Sequence, residues 1–191
     1  MTSFRDSRTA RNLLLSYSAE SQARTRYNFF ATQARAENLI QIARIFDETA
    51  DQEYEHALRF FKFFNGGELE ITGVFPAGVI KDTHANLLAS AALELYVHDK
   101  MYGVFAEVAE EEGFQRAAET FHAINVAEKH HEKMFRELAK NLVTGRAFRQ
   151  SPETVWKCLN CGYLHEGATP PEKCPACVKP PGFFAVLPDN R

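Results

Sequence analysis

Glu53-Tyr54-Glu55-His56 and Glu128-Lys129-His130-His131 are the two stretches whose reading decides the fold. In each, a carboxylate and an imidazole stand three residues apart, and at about 100° per residue a helix carries both on one face. One helix face can then offer two metal-ligating groups. The two stretches lie 75 positions apart, and the same shift lays Phe30-Ala31 on Phe105-Ala106, Ala34 on Ala109, Ala43 on Ala118 and Phe46 on Phe121. The first 150 residues therefore read as two copies of a helix pair.

Apolar residues at three- and four-residue steps (Leu13, Leu14 and Tyr17; Ile42, Ile45 and Phe46; Leu58, Phe61 and Phe64) predict two helices up to about residue 64, with a break near Arg35 to Asn38. Asn65-Gly66-Gly67 stops the second helix. An irregular stretch from Gly66 to Lys81 follows. Asp82 or Thr83 caps a third helix expected to run unbroken to Glu112, and a fourth runs from Phe114 to Thr144. Short links join antiparallel helices, and the long link lets the second and third lie parallel. The expected architecture is an all-α, ferritin-like four-helix bundle with one long crossover.

The first and third helices each add one carboxylate in apolar surroundings, Glu20, 33 residues before Glu53, and Glu94, 34 before Glu128. A lone buried carboxylate is costly, whereas one bound to a cation is satisfied. Glu20, Glu53, His56, Glu94, Glu128 and His131 together match the four-Glu, two-His template of ferritin-like dimetal proteins. Oxygen-rich donors with imidazole suit iron or manganese better than copper. Tyr27 and Tyr102, one to two turns beyond Glu20 and Glu94, are placed to hydrogen-bond those carboxylates or to serve as core aromatics. His130 points about 100° away from His131, and His84, His122 and His165 lack ligand spacing. Glu107, Glu110, Glu111 and Glu112 read as a solvated face.

From Pro152 onward the texture changes to Gly, Pro and aromatic residues, and no helix is expected there. All four cysteines lie in this region, as Cys158-Leu-Asn-Cys161-Gly-Tyr and Cys174-Pro-Ala-Cys177. Two Cys-x-x-Cys knuckles form an S4 site for zinc or for one iron, and Gly162 supplies a left-handed backbone at the first. The expected domains are 1–150, the bundle, and 151–191, a small metal ribbon.

The 191 residues carry 22 Lys+Arg against 25 Asp+Glu, a net charge of −3, so no basic excess points to nucleic acid. No apolar run of membrane-spanning length and no secretory h-region occur, and the expected location is the cytoplasm.

The whole chain resembles the rubrerythrin family. Ala19-Glu-Ser-Gln-Ala-Arg24, Ala50-Asp-Gln-Glu-Tyr-Glu-His56, Phe75-Pro-Ala-Gly78, Asp82-Thr-His-Ala-Asn-Leu87, Glu111-Glu-Gly113 and Cys161-Gly-Tyr163 carry the resemblance in order and spacing. It implies a non-haem di-iron enzyme that reduces hydrogen peroxide to water, as defence against oxidative stress. It further implies a rubredoxin-like iron site with four cysteine ligands that relays electrons from NAD(P)H through a partner, a rubredoxin or an NAD(P)H oxidoreductase. A homodimer with one chain's cysteine domain against the other's bundle is implied as well. Manganese or a mixed pair in the bundle, and zinc in the S4 site, are the alternative occupants. One departure stands out. The family usually carries a further glutamate ligand three residues after the position of Glu94, exchanged with the histidine at 56 on redox change, whereas this chain has Val97, then His98. That loss leaves a symmetric six-residue set, which suits a second reading, a ferroxidase or iron-handling protein that uses O₂; a third takes the cysteine module as a zinc ribbon and the bundle as a metal-sensing or interaction protein.

Overall fold

The computed structural model describes residues 3–187. Five α-helices and three short strands make up its regular structure: α1 Arg8–Ala36, α2 Ile40–Phe61, α3 Thr83–Tyr96, α4 Tyr102–Glu111, α5 Gln115–Val143, β1 Val155–Cys158, β2 Leu164–Glu166 and β3 Phe184–Val186. α1 and α2 form one antiparallel pair, and α5 packs against α3 and α4 as the other. Residues 65–82 cross over without helix or strand. This is the expected ferritin-like bundle with a small strand-bearing appendage.

The helix starts follow from capping chemistry. Ser7 Oγ accepts from the Ala10 amide at the head of α1, and Asp82 Oδ1 accepts from the Ala85 amide at the head of α3. α2 ends at Phe61, three residues short of the expected position, and Asn65, Gly66 and Gly67 all take positive φ after it. Gly113 does the same after α4, with φ +79°.

The third helix is the main correction. It is not continuous: a π-helical turn at Val97–Met101 separates α3 from α4. Its origin lies in the repeat. Glu94 is displaced 74 positions from Glu20, but Tyr102 is displaced 75 from Tyr27, so the second half holds one extra residue between them. A π-turn absorbs one residue without ending the helix, keeping Glu94 and Tyr102 both inward. A smaller correction falls in the C-terminal region, where one 3₁₀ turn, Pro181–Phe183, precedes β3.

The core splits into two aromatic groups, one on either side of the buried carboxylates. Tyr27, Phe46 and Phe135 stack with centroids 5.2–6.1 Å apart, and Tyr102, Phe121 and Phe60 with centroids 5.3–5.7 Å apart. Each group is the other shifted by the repeat, and each draws residues from both helix pairs. The strands form one antiparallel sheet in the order β2-β1-β3, with Trp156 opposite His165 and Lys157 opposite Ala185. Trp156 and Phe184 are buried beside Cys158 and Cys174, and the indole N–H donates to Gly167 O at 2.8 Å. This region sits on the N-terminal half of α2, where Arg44 donates to Leu159 O at 2.7 Å. Gly182 backs onto Asn38 so closely that a Cβ would meet the Asn38 carbonyl oxygen at 1.7 Å.

Candidate metal centres

The six sequence-expected residues come together in the middle of the bundle as two overlapping groups. Ligand atoms of Glu20, Glu53, His56 and Glu128 lie within 4.8 Å of one another, as do those of Glu53, Glu94, Glu128 and His131. Glu53 and Glu128 belong to both groups. The arrangement offers two adjacent positions, each with one outer glutamate, one histidine and two shared carboxylates.

His56 Nδ1 lies 2.9 Å from Glu53 Oε2 and 3.0 Å from Glu128 Oε1, while His131 Nδ1 lies 2.9 Å from Glu128 Oε2 and 3.1 Å from Glu53 Oε1. A single N–H satisfies one acceptor, and both Glu53 Oε1 and Glu128 Oε1 are buried with no hydrogen-bond partner among the described residues. Four carboxylate oxygens and two ring nitrogens converging in this way, with two oxygens unsatisfied, fit shared cations better than they fit protons. The donor set and the orphaned oxygens therefore fit a dimetal site.

Electrostatics of the metal-free cluster point the same way. Burial, reinforced by the charges of Glu53 and Glu128, pushes Glu20 and Glu94 well above the usual carboxylate range, against the hydrogen bonds from their tyrosines. Burial also opposes charge on Glu53, yet its hydrogen bonds with His131 and His56 hold it at about 2. The two imidazoles overcome their own desolvation through Glu128 and Glu53, and rise to about 10 for His56 and about 9 for His131. Without metal the cluster holds protons that a cation displaces.

The tyrosines bond the outer carboxylates across the bundle, not the glutamates that precede them in the chain. The Tyr27 hydroxyl donates to Glu94 Oε1 and the Tyr102 hydroxyl to Glu20 Oε1, so each outer glutamate is held by a tyrosine from the opposite helix pair. Burial first, and then the neighbouring carboxylates, push both phenols well above their usual range, keeping them donors. Val97 is buried among apolar side chains. His98 joins neither group; its Nε2 is buried without a partner. His130 is exposed, and His122 pairs with Glu110 at 3.2 Å.

Two features escaped the sequence reading. Gln52 Oε1 accepts from His131 Nε2 at 2.9 Å, and no spacing rule singles out a glutamine on an exposed helix position. Glu112 is not merely solvated. Its carboxylate accepts from the Arg8 and Thr9 amides at 3.1 and 2.8 Å and from the Thr9 hydroxyl at 2.7 Å, closing the head of α1.

The four cysteines form the second centre. Cys158 Sγ lies 3.7 Å from Cys177 Sγ, and Cys161 Sγ lies 3.6 Å from Cys174 Sγ, with all four within 4.8 Å. A tetrahedron with metal–sulfur bonds of about 2.3 Å has sulfurs about 3.8 Å apart, so the set fits one ion. The knuckles are built alike: the Gly162 amide donates to Cys158 O at 2.9 Å and the Val178 amide to Cys174 O at 2.8 Å. Burial opposes ionisation of Cys177, but the Lys179 amide and the Asn160 side chain bring its thiol down to about 6. Cys161 goes the other way: against the Tyr163 amide, its hydrogen bonds with the other thiols and its burial push it up to about 12, so the metal-free set favours thiolate at Cys177.

The rubrerythrin family model matches residues 11–139, and the model for the rubrerythrin rubredoxin-like domain matches residues 156–185. The chain is 52% identical over 187 residues to the rubrerythrin of Nitratidesulfovibrio vulgaris, covering 98% of each chain. It is 45% identical over 188 residues to that of Porphyromonas gingivalis, covering 98% of this chain and 94% of that one. The solved structure of nigerythrin in a mixed-valence state matches at TM-score 0.64 and 28% identity, over 95% of this chain and 90% of that one. The chain belongs to the rubrerythrin family, and it has that family's di-iron bundle and rubredoxin-like four-cysteine site.

Proposed function

We propose that the protein reduces hydrogen peroxide to water at a di-iron site held by Glu20, Glu53, His56, Glu94, Glu128 and His131. Its electrons are relayed by an iron held by Cys158, Cys161, Cys174 and Cys177. The observation that carries this reading is the pair of overlapping buried groups that share Glu53 and Glu128, joined in one chain to a four-thiol site. When bound there, two adjacent ferrous ions would supply the two electrons that, with two protons, take hydrogen peroxide to two waters, and an S4 iron would return electrons one at a time.

The chain's own residues have definable roles in that reaction. Glu53 and Glu128 hold two cations side by side. Tyr27 and Tyr102 fix Glu94 and Glu20 by donating to them, and remain protonated. The two aromatic groups exclude water from both ends of the cluster. His56 lines a cleft between α2 and α5 beside Glu55, Arg59 and Thr120, and a second, open one along α2 beside Glu48, Asp51 and Gln52, so peroxide enters there.

The units 1–150 and 151–191 act as reductase and relay; residues 1–2 and 188–191 lie outside the described part. Within one chain the cysteine region touches Arg44, nine residues before Glu53, or about 14 Å along the helix. A homodimer that seats one chain's four-cysteine site against the partner's bundle shortens that path. The donor is a rubredoxin or an NAD(P)H oxidoreductase, and the reaction belongs to the cytoplasm. Val97 in place of a carboxylate favours a second reading, a ferroxidase that uses O₂ at the symmetric set.

Anaerobic stopped-flow absorbance separates the two. The reduced, iron-loaded protein is mixed with peroxide and, separately, with O₂ while the red ferric S4 band is followed. Fast oxidation by peroxide and slow oxidation by O₂ is expected. A preference for O₂ selects the ferroxidase, and no red band selects zinc in the S4 site.

A further inference from the structure

The dimetal cluster obeys the 75-residue repeat in nearly every polar contact, and the exception is informative. His131 is held from both sides: Nδ1 faces Glu128 and Glu53, and Nε2 donates to Gln52 Oε1 at 2.9 Å. The repeat carries Gln52 onto Ala127, which has no polar side chain, so His56 has no matching hydrogen bond from its outer nitrogen. Exposure follows the same division: the His131 side chain is 3% exposed and that of His56 14%. His56 also borders both clefts beside the cluster, and Gln52 forms part of one rim.

A neutral imidazole that binds metal through Nδ1 carries its proton on Nε2, and an acceptor at Nε2 fixes both that tautomer and the ring plane. His131 has such an acceptor and His56 does not. We propose that Gln52 is a positioning residue that makes the two metal positions unequal. The position of Glu94 and His131 fills first and holds its ion. The position of Glu20 and His56 fills second, and exchanges its ion through the cleft at His56. This rests on the dimetal reading of the six residues, and it assigns to Gln52 and Ala127 a difference between the two histidine positions that is separate from the extra residue absorbed in the π-turn.

The test is a calorimetric titration of the full chain with Co²⁺, its four-cysteine site already filled with Zn²⁺. The wild-type chain is expected to take up Co²⁺ in two resolved steps. Gln52→Leu removes the acceptor at similar size from an exposed position, and is expected to weaken the first step about 10- to 100-fold while leaving the second unchanged. Ala127→Gln gives His56 the missing partner, and is expected to tighten the second step alone. A loss of folding would weaken both steps together, so the split between steps reports positioning rather than integrity. Equal steps in the wild type, or Gln52→Leu altering neither step or both alike, would overturn the proposal. Uptake of a single Co²⁺ would instead overturn the dimetal reading beneath it.

Discussion

At Val178 the backbone takes φ +60°, a region that a β-branched side chain enters only under strain. Gly162 fills the same place in the first knuckle at φ +80°, four residues after the cysteine whose carbonyl its amide bonds, as Val178 follows Cys174. Val178 is 69% exposed, so little packing compensates. Val178→Gly should therefore stabilise the cysteine region by about 1 kcal/mol, read as slower loss of its metal to a chelator; faster loss would show that the valine is favourable where it stands. Val97 poses the opposite case. Buried among apolar neighbours, it stands where the resemblance to the rubrerythrin family leads one to expect a further glutamate. Val97→Glu should destabilise the metal-free chain by about 1–3 kcal/mol, and iron should restore that loss while raising the rate with peroxide. A melting temperature that stays low with metal bound would show that the new carboxylate does not reach the site.

Among elements, the two helix pairs hold each other by matching ends. Glu112, just past α4, closes the head of α1, and Glu37, its counterpart in the repeat, accepts from the Thr83 amide at 3.0 Å at the head of α3. Desolvation disfavours the Glu112 carboxylate, but Thr9 and Arg8 hold it at about 2. Its contribution is thus present above the ordinary glutamate range and lost as pH falls toward about 2. Glu112→Ala should cost about 1 kcal/mol and lower the melting temperature by roughly 2–4 °C, whereas an unchanged melting temperature would leave the contact without weight. The acidic run around Glu112 reads from sequence as solvent-facing, because nothing local shows that the start of α1 lies across from it. The π-turn is different. The offset between 33 residues (Glu20 to Glu53) and 34 (Glu94 to Glu128) was visible, but only the helical geometry shows that the extra residue is absorbed in mid-helix.

For the whole molecule, the bundle and both candidate ligand sets were legible because their chemistry repeats: Glu-x-x-His twice, a core carboxylate before each, and Cys-x-x-Cys twice. The Gln52 bond to His131 and the cleft between His56 and Thr120 were not, since they arise where α2 meets α5, the first across 79 residues of chain. The cluster's charge also sets how the molecule responds to pH. His56 and His131 have folded pKa values of about 10 and about 9, above their unfolded range. Their stabilisation of the metal-free chain is complete below about pH 6.5 and lost as pH rises through those values. Glu20 and Glu94, also raised, add cost in the same direction. Metal binding displaces these protons, so affinity should rise with pH. Melting curves with chelator and with iron should diverge as pH climbs from about 6.5 to 9; parallel curves would mean that the cluster does not release protons to metal.

The most direct measurement is the iron content and visible spectrum of Glu53→Ala beside the wild-type chain, each loaded anaerobically and then oxidised. Because Glu53 belongs to both buried groups, its loss should strip the bundle of most of its iron while leaving the red band of the ferric four-cysteine site at full strength. Bundle iron retained at the wild-type level would contradict the assignment of these residues as a shared dimetal site.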